Sequence, residues 1–384
     1  MDIVDRDVEV VVVGAGPVGM ATALRLRQSG VEVLVVDRQA EGDNSSRAAV
    51  VHAATLEALK GLGVTQRLLE RGIRAPRFSI RDGGRVLLPL DFRLLPSSYA
   101  FALMVSQADT ERVLADRLRE EGVEVWRPVE VAAVADGART ATVSVRDLRA
   151  GRQALLRARY VVGADGMGSL VRRSAGIDFP GHRLEDAFVL GDVRTSGGLP
   201  DDEVVLFFSP RGTLVSAPLP GGVHRLVAPV EQAPSEPSVA HLQELLDRRG
   251  PGGVRIEGMV WGSRFRVHER LADRYRSGRL VLAGDAAHVH SPAGGQGMNL
   301  GLRDAVALGD ALAAALRGEG AAALEAYEAR QQTARRVIRL AGVLTRAGVA
   351  DGPLRAARNA LLSLLARIPV FRSRVALRLS GLAE

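Results

Sequence analysis

A glycine-rich turn near the amino terminus constrains the fold of this chain more than any other feature. The letters GAGPVG at positions 14–19 follow an apolar run, Val8–Val13, and precede an apolar-periodic stretch that ends at Gln28. A second apolar run, Val31–Val36, comes next. Strand, glycine turn, helix and strand in this order predict a βαβ unit that binds a dinucleotide at the carboxyl ends of its parallel strands.

Each residue of the turn has its own physical task in such a unit. Gly14 permits the tight turn, Gly16 lets a pyrophosphate approach the backbone, and Gly19 lets helix and strand pack closely. Pro17 suits the first helical turn, where a missing N–H costs little. Asp37 lies 18 residues beyond Gly19, where a carboxylate can accept hydrogen bonds from a ribose. The unit predicts a nucleotide site and leaves FAD and NAD both open.

Two further segments have the same strand–turn–helix texture. One is Arg159–Gly163 followed by ADGMGSLVRR. The other is Arg279–Ala283 followed by GDAAHVHSPAGGQGMN and a helix from about Gly297 to Leu316. Strands that alternate with helices predict an α/β fold with a parallel sheet, and ligands bind at the carboxyl ends of such strands.

The stretch between the second and third units has a different texture, with proline-rich turns and short strand-like runs. We expect a mostly antiparallel β substrate lobe inserted into a Rossmann-type lobe, with helices at the C-terminus. The strand-like runs and one helix-like stretch are Val204–Phe208, Thr213–Ala217, Val223–Val227 and Val239–Arg248. The predicted domains are a nucleotide-binding domain of residues 1–75, 97–178 and 272–345, a substrate domain of residues 76–96 and 179–271, and C-terminal helices at 346–384.

The third glycine-rich turn indicates which of the two dinucleotides, FAD or NAD, the chain binds. Asp285 follows an apolar strand, and Pro292, Gly294, Gly295 and Gly297 bring exposed backbone N–H groups to a helix start. A helix N-terminus favours negative charge. Reduced flavin gathers negative charge at N1 and the C2 carbonyl, so this loop is a suitable cradle for a flavin ring. The run therefore predicts FAD.

With these motifs in this order, the sequence resembles the single-component, FAD-dependent aromatic hydroxylases, the p-hydroxybenzoate hydroxylase-like monooxygenases, over roughly residues 8–345. The motifs are GAGPVG at 14–19, the DG motif at 164–173 and the GD motif at 283–299. The chain looks most like hydroxylases of polyketide antibiotics, which frequently continue into a thioredoxin-like domain about where this chain stops, at LSGLAE. Two positions depart from the family: Ala54 stands where an arginine is frequent, and Ser291 where a second proline is common.

The resemblance implies one non-covalent FAD and assigns its contacts. Asp37 would bind the adenosine ribose, Arg47 and Gln107 the pyrophosphate and ribitol, and Asp285 the ribitol side. Asp165 would support the pyrophosphate region and NAD(P)H use. The complete predicted contact set is Gly14, Gly16, Pro17, Val18, Gly19, Asp37, Arg38, Arg47, Gln107, Asp165, Asp285, Pro292, Gly295, Gly297, Met298 and Asn299.

The resemblance also implies an activity. NADPH or NADH would reduce the FAD, O₂ would add at flavin C4a, and the hydroperoxide would hydroxylate an electron-rich aromatic or polyketide-like small molecule. No protein nucleophile is needed, so no catalytic residue is assigned. An epoxidase or a reductase of the same fold, or a flavoprotein that acts mainly through partner binding, are alternatives. The substrate pocket is expected between the flavin and the inserted lobe, with Phe207, Phe208, Ser216 and Pro218 as candidate lining.

Composition excludes several other classes. The chain has no cysteine, which removes disulfides, thiolate metal sites, iron–sulfur clusters and cysteine-linked flavin, and which fits a reducing cytoplasm. The N-terminus MDIVDRDVEV lacks the basic and apolar regions of a signal peptide, and no apolar run reaches the length of a membrane span.

The net charge of +7 lies in the C-terminal tail. Residues 330–384 contain eleven arginines against Asp351 and Glu384. A solvated face on packed amphipathic helices is the favoured interpretation. An acidic carrier protein that docks on the arginines is a second interpretation. Nucleic acid is disfavoured, because Phe371 is the only aromatic residue in the tail.

Four histidines and one serine invite sharper hypotheses. The pair His288 and His290 has the look of a metal site, but no third ligand is near in sequence, so we expect two polar residues of the flavin loop and no metal. His52 and His224 could deprotonate a phenol, although a lone histidine is more often structural. Ser169 lacks the glycine-framed elbow of a nucleophile and is expected to cap a helix.

Overall fold

The apolar runs form strands because valine and other β-branched residues pack well on a pleated sheet. In the computed structural model, residues 3–42, 48–292 and 294–383 are described, and Arg47 lies outside them. In chain order the strands are β1 (Arg6–Val13), β2 (Val33–Val36), β3 (Val50–Val51), β4 (Ile73–Ala75), β5 (Arg77–Asp82), β6 (Arg85–Asp91), β7 (Ala102–Met104), β8 (Glu124–Trp126), β9 (Val129–Ala135), β10 (Ala141–Asp147), β11 (Gln153–Gly163), β12 (Gly181–Ser196), β13 (Glu203–Phe207), β14 (Leu214–Leu219), β15 (Val223–Val230), β16 (Arg255–Leu271), β17 (Arg276–Ser277), β18 (Leu280–Leu282) and β19 (His288–Val289).

The helices follow the glycine turns and dominate the C-terminal quarter of the chain. They are α1 (Pro17–Gln28), α2 (Ala53–Lys60), α3 (Thr65–Arg71), α4 (Gln107–Glu120), α5 (Leu170–Ser174), α6 (Val239–Arg249), α7 (Gln296–Leu316), α8 (Gly320–Glu328), α9 (Gln331–Ala347), α10 (Gly352–Leu365) and α11 (Pro369–Leu379), with short 3-10 turns at Phe92–Leu94 and Gly284–Ala286. None of the helices in the described parts of the chain has both the length and the apolar character needed to cross a bilayer.

A mostly parallel sheet joins the three sequence motifs. Its order is β17–β18–β11–β1–β2–β8, and β10 and β9 extend it beside β11. Strand β1 pairs in parallel with β11 and β2, and β11 pairs in parallel with β18. The ladder continues past the strand ends, because Ala164 N–H donates to the Val13 carbonyl at 2.8 Å and Ala283 N–H to the Gly163 carbonyl at 3.0 Å. The glycine turns therefore leave adjacent strands at one edge.

A second sheet faces that edge. Its order is β19–β16–β12–β15–β14–β13–β5–β6, and its pairs are antiparallel except for β13 and β5. The strands β5 and β6 come from residues 77–91 and join the sheet built by residues 181–271. The fold class is as predicted, an α/β lobe with an inserted, mostly antiparallel β lobe and C-terminal helices, while the domain boundaries stay a prediction.

Two long strands were missed by sequence reasoning. Strands β12 and β16 have 16 and 17 residues and pair along most of their length. In β16 only two of the seventeen positions are fully buried, so apolar residues do not alternate with polar ones. A period-2 signal arises only where one face of a strand is buried and the other is solvated.

The C-terminal helix α10 is oriented differently from the favoured interpretation. Its inward side carries arginines: Arg355 donates two hydrogen bonds to the Asp82 carboxylate, and Arg358 also contacts that group. Leucines occupy the outward side, where Leu354 is 73% exposed. The arginines of α10 therefore do not form the expected solvated face opposite a buried apolar face.

Candidate active site

One large cavity lies between the motif edge of the parallel sheet and the inner face of the antiparallel sheet. Its volume is about 520 Å³. Most of its described lining is apolar and comes from these two sheets, from a small third sheet of order β3–β7–β4, and from the loop before α7. Of the predicted FAD contacts, those that line it are Gly16, Pro17, Val18, Gln107, Asp285, Pro292, Gly295, Gly297 and Met298.

The first turn has little space on its protein side and open space on its cavity side. Gly14 has φ +102°, and a Cβ there would lie 2.3 Å from the Ala164 carbonyl oxygen. A Cβ at Gly19 would lie 1.9 Å from the Gly14 carbonyl oxygen. Around Gly16, by contrast, no atom of the described residues beyond its two chain neighbours lies within 4 Å of such a Cβ. Gly16 begins α1 without a side-chain cap, so this helix N-terminus is open to an anion.

Val18 connects the first and third motifs. A Cβ added at Gly284 would lie 2.9 Å, and one at Gly301 2.7 Å, from the Val18 side chain. The two glycines thus let α1 and α7 approach each other. Because of this contact, the N-termini of both helices open on the same cavity.

Asp37 and Arg38 lie outside the cavity wall at the end of β2. The two carboxylate oxygens of Asp37 accept the N–H groups of Ala15 at 2.6 Å and Gln39 at 2.7 Å. Arg38 is exposed. Sequence reasoning missed Arg127, which donates to the Ala15 carbonyl at 2.8 Å and has a buried Nε with no partner among the described residues. Only the adjacency of β8 to β2, a long-range pairing, brings Arg127 beside Asp37.

Asp165 caps a helix next to the cavity. One of its oxygens accepts the N–H groups of Leu170 at 2.7 Å and Val171 at 3.3 Å. Its other oxygen is buried without a partner in the described structure. The flanking Ala164, Gly166 and Met167 line the cavity, whereas Asp165 does not. Ser169 caps α5 through the Arg172 N–H, as expected.

Hydrogen bonds from side chains outside the cavity lining hold the loop before α7 in place. Asn299 lies outside the lining; it accepts the His52 N–H at 2.8 Å and donates to the carbonyls of Val50 and Gly295. Gln296 donates to the Leu379 carbonyl at 2.7 Å. These bonds hold the loop in place. Gly295 is the N-cap residue of α7, and no side chain caps this end of the helix. The positive end of a 21-residue helix therefore faces the cavity.

Of the two candidate bases, His52 and His224, His52 lines the cavity. Its Nε2 lies 2.9 Å from the Gly294 carbonyl; since a carbonyl only accepts, Nε2 carries the proton. Burial lowers the pKa of His52 to about 4, so the ring is neutral near pH 7. His224 lies outside the lining, with Nε2 3.4 Å from the Pro200 carbonyl.

The histidine pair of the GD motif has protein partners. His288 Nε2 lies 2.9 Å from Asp304, and both groups are buried. His290 Nδ1 lies 2.8 Å from the Ser291 carbonyl and donates to it, while burial lowers the pKa of His290 to about 4. Among the described residues, no group of three or more metal-ligating side chains is present.

Gln107 and Arg225 hold the backbone of Ala48 from two sides. Gln107 begins α4, accepts the Ala48 N–H at 3.3 Å and donates to Glu111 at 2.9 Å. From the opposite side, Arg225 of β15 donates to the Ala48 carbonyl at 3.0 Å. Arg225 is buried and is paired with Asp192 through two hydrogen bonds of 2.7 Å. Sequence reasoning did not find Arg225, because one arginine among 50 gives no local signal.

Three of the four predicted lining residues, Phe207, Ser216 and Pro218, lie on the faces of β13 and β14 that point away from the cavity, and Phe208 follows the end of β13. Phe207 and Phe208 are buried in two different hydrophobic clusters, and neither they nor Ser216 and Pro218 belong to the described lining of the cavity. The cavity is lined instead by Val204, Leu206, Val215 and Ala217. Successive side chains of a strand point to opposite faces, so an error of one position exchanges the whole set.

The comparisons with known proteins agree with this geometry. A family model described as an FAD binding domain matches residues 7–341. The chain is 37% identical over 317 residues to an uncharacterized aromatic compound monooxygenase of Bacillus subtilis, covering 81% of this chain and 62% of the relative. It is 37% identical over 350 residues to the 12-dehydrotetracycline 5-monooxygenase/anhydrotetracycline 6-monooxygenase of Streptomyces rimosus, covering 84% of this chain and 66% of the relative. The chain thus spans less than two thirds of the length of these curated relatives.

A solved structure has nearly the same extent as this chain. The p-nitrophenol 4-monooxygenase of Pseudomonas putida DLL-E4 superposes with a TM-score of 0.87 at 27% identity and covers 98% of both chains. The agreement extends over both sheets and the C-terminal helices. Fold and sequence therefore point to one family.

Proposed function

We propose, from the premise that this chain belongs to the FAD-binding domain family, that it is an NAD(P)H-dependent flavin monooxygenase that hydroxylates an apolar, electron-rich aromatic compound. The observation that carries the proposal is the continuity of the cavity. Open helix N-termini lie at one side of it, and an apolar wall of the antiparallel sheet lies at the other. Redox chemistry and an aromatic substrate can thus share one dry space.

The residues present fit FAD. The open space at Gly16 and the uncapped start of α1 suit a pyrophosphate. The uncapped start of α7 suits the negative charge that collects at one edge of the reduced ring. Bound FAD would supply electron transfer from NAD(P)H and activation of O₂.

The chain itself would bind, orient and exclude water. His52 donates to the Gly294 carbonyl in the loop before α7, and Gln296, the first residue of α7, donates to the Leu379 carbonyl. These two hydrogen bonds keep the backbone N–H groups at the start of α7 directed at the cavity. Val204, Leu206 and Val215 form an apolar wall that keeps water from the reacting ring. We assign no acid–base residue; His52 and His290 each donate one ring N–H to a backbone carbonyl.

We include polyketide-like compounds in the proposed substrate class because the names of relatives refer to compounds of that kind. The Streptomyces rimosus relative is a tetracycline-pathway monooxygenase by name. An acidic carrier protein is not part of the proposal, because no relative supports one and two of the tail arginines that were to form the docking charge, Arg355 and Arg358, contact Asp82. The cytoplasmic location stays a prediction from the absence of cysteine.

The test is a screen of the FAD-loaded protein against phenols and polyketide-like aromatics, with NADPH and NADH, followed by mass spectrometry of the products. We expect oxidation of the nicotinamide to be slow alone and to accelerate with a compound that gains one oxygen atom. Rapid oxidation that no aromatic compound changes would contradict the proposal. Reduction of a double bond without oxygen uptake would favour a reductase of the same fold.

A further inference from the structure

The outward face of α10 and the start of α11 form an exposed apolar surface, here called the outer stripe. No residue of α10 is buried. The outer stripe consists of Leu354, Leu361, Leu364, Ile368 and Val370, which are 73%, 56%, 58%, 46% and 59% exposed. A contiguous apolar surface of this kind on a protein normally has an occupant.

The polar side of the same helix is turned inward and fixed there. The Asp82 carboxylate accepts hydrogen bonds from Arg355 and Asn359, and its side chain is 7% exposed. Hydrogen bonds from Arg355 hold the pKa of Asp82 below its usual range. Farther along, Leu362 and Ala366 pack on the core beneath the helix. Rotation of α10 to bury the outer stripe would break the Asp82 contacts, so the exposure of the leucines is built into the fold.

The charges around the outer stripe are mostly positive, although Asp351 caps the start of α10. Arg367 and Arg374 are exposed beside it. The sequence from Gly352 to Ala383 contains six arginines and no acidic residue. An apolar helix face with basic residues at its border is the pattern of a helix that lies in the interface of an anionic bilayer.

We propose that the outer stripe docks this protein on the surface of an anionic lipid bilayer. The leucines would enter the boundary between headgroups and acyl chains, and Arg367 and Arg374 would bind lipid phosphates. A second copy of the chain is disfavoured as the occupant, because a twofold contact would bring the same arginines against each other. Because no residue of α10 is buried, the helix lies on the surface of the protein. A fluid bilayer can cover such a helix without having a complementary shape of its own.

The test is co-sedimentation of the full FAD-loaded chain with vesicles. Vesicles of phosphatidylcholine alone are compared with vesicles of phosphatidylcholine and phosphatidylglycerol in equal parts. We expect binding to the anionic vesicles that weakens as salt is added. Arg367→Gln with Arg374→Gln should lower the partition coefficient by about 30-fold, or about fivefold for each arginine. Leu361→Ser with Leu364→Ser should lower it by more than about tenfold.

The matched control is Leu94→Ser with Leu148→Ser, two exposed leucines elsewhere on the protein, and it should bind as wild type. All these positions are exposed, so the variants should keep the wild-type FAD content and unfolding temperature. Failure of the wild-type chain to bind anionic vesicles, or equal binding to both kinds, overturns the proposal. A dimer in sedimentation equilibrium that the Leu361 and Leu364 variant dissociates would instead make the outer stripe an interface between copies.

Discussion

Two neighbouring glycines of the first turn should respond to substitution in opposite ways. Gly16 has φ −74° and ψ 179°, an extended conformation that any residue adopts. Beyond its two chain neighbours, no atom of the described residues lies within 4 Å of a Cβ placed there. Gly16→Val should therefore leave the FAD-free fold intact, and the loss of chain entropy in the unfolded state should stabilise it by up to about 1 kcal/mol.

The same substitution should abolish tight FAD binding. The valine side chain would occupy the open space beside the start of α1, where the pyrophosphate needs direct access to backbone N–H groups. Loss of one or two charge-assisted hydrogen bonds costs about 3 kcal/mol, which is about 100-fold in the dissociation constant. Gly14→Ala is the opposite case. Its φ of +102° and the 2.3 Å approach to the Ala164 oxygen should destabilise the fold itself by about 3 kcal/mol or more.

The assay combines thermal unfolding of the FAD-free proteins with titration of FAD by quenching of its fluorescence. We expect Gly16→Val to unfold within a few degrees of wild type and to bind FAD at least about 100-fold more weakly. Gly14→Ala should unfold at a much lower temperature. If Gly16→Val bound FAD with wild-type affinity, or unfolded as early as Gly14→Ala, the assignment of the open space at Gly16 would be wrong.

Three further changes test the supports of the cavity. Gln296→Glu replaces the donor to the Leu379 carbonyl by a carboxylate that repels it, and the dissociation constant for FAD should rise about tenfold, as measured by fluorescence titration. The pKa values of His52 and His290 are lowered from 6.5 to about 4 in the folded chain. Between pH 4 and pH 6.5 the unfolded chain therefore binds more protons than the folded chain. The free energy of unfolding of the FAD-free protein, measured by urea titration, should fall as the pH drops from 6.5 to 4, by about 2–3 kcal/mol for each histidine. Asp82→Asn breaks the ion pairs under α10 and should destabilise the protein by about 2 kcal/mol without loss of FAD affinity.

Each of these changes has a control of the same residue type on the surface. Gln332→Glu, His182→Asn and Asp273→Asn alter exposed side chains and should leave affinity, pH dependence and stability close to wild type. A pH dependence that survives in a His52→Asn and His290→Asn double variant would show that other groups cause it. An FAD affinity lowered by Asp82→Asn would contradict the separation of α10 from the cavity.

The sequence predicted the strands and glycine turns at one edge of the parallel sheet, because local chemistry dictates them. Glycines are required where a turn has a positive φ or a backbone approaches closely: Gly14 has φ +102°, and Gly19 approaches the Gly14 carbonyl within the same βαβ unit. The three motif strands were found for the same reason, since buried parallel strands are continuous valine-rich runs.

The remainder depends on contacts that no local pattern encodes. Arg127 reaches Ala15 across 112 positions of sequence, and Arg225 reaches Ala48 across 177. Which face of β13 lines the cavity depends on register against β5 and β14, and both faces of that strand carry apolar residues. The orientation of α10 depends on Asp82, which lies 273 positions before Arg355. Helical periodicity locates an apolar stripe but does not say what covers it.

The most direct test of the central claim is the fate of O₂ in the cavity. The FAD-loaded chain would be supplied with NADPH, ¹⁸O₂ and the aromatic compound that most stimulates nicotinamide oxidation, and the product would be analysed by mass spectrometry. An apolar cavity that holds the aromatic ring beside the flavin predicts one ¹⁸O atom in the product and little H₂O₂. Product without ¹⁸O, or NADPH consumption that yields only H₂O₂ with every compound tested, would contradict the claim that this cavity is the site of a monooxygenase.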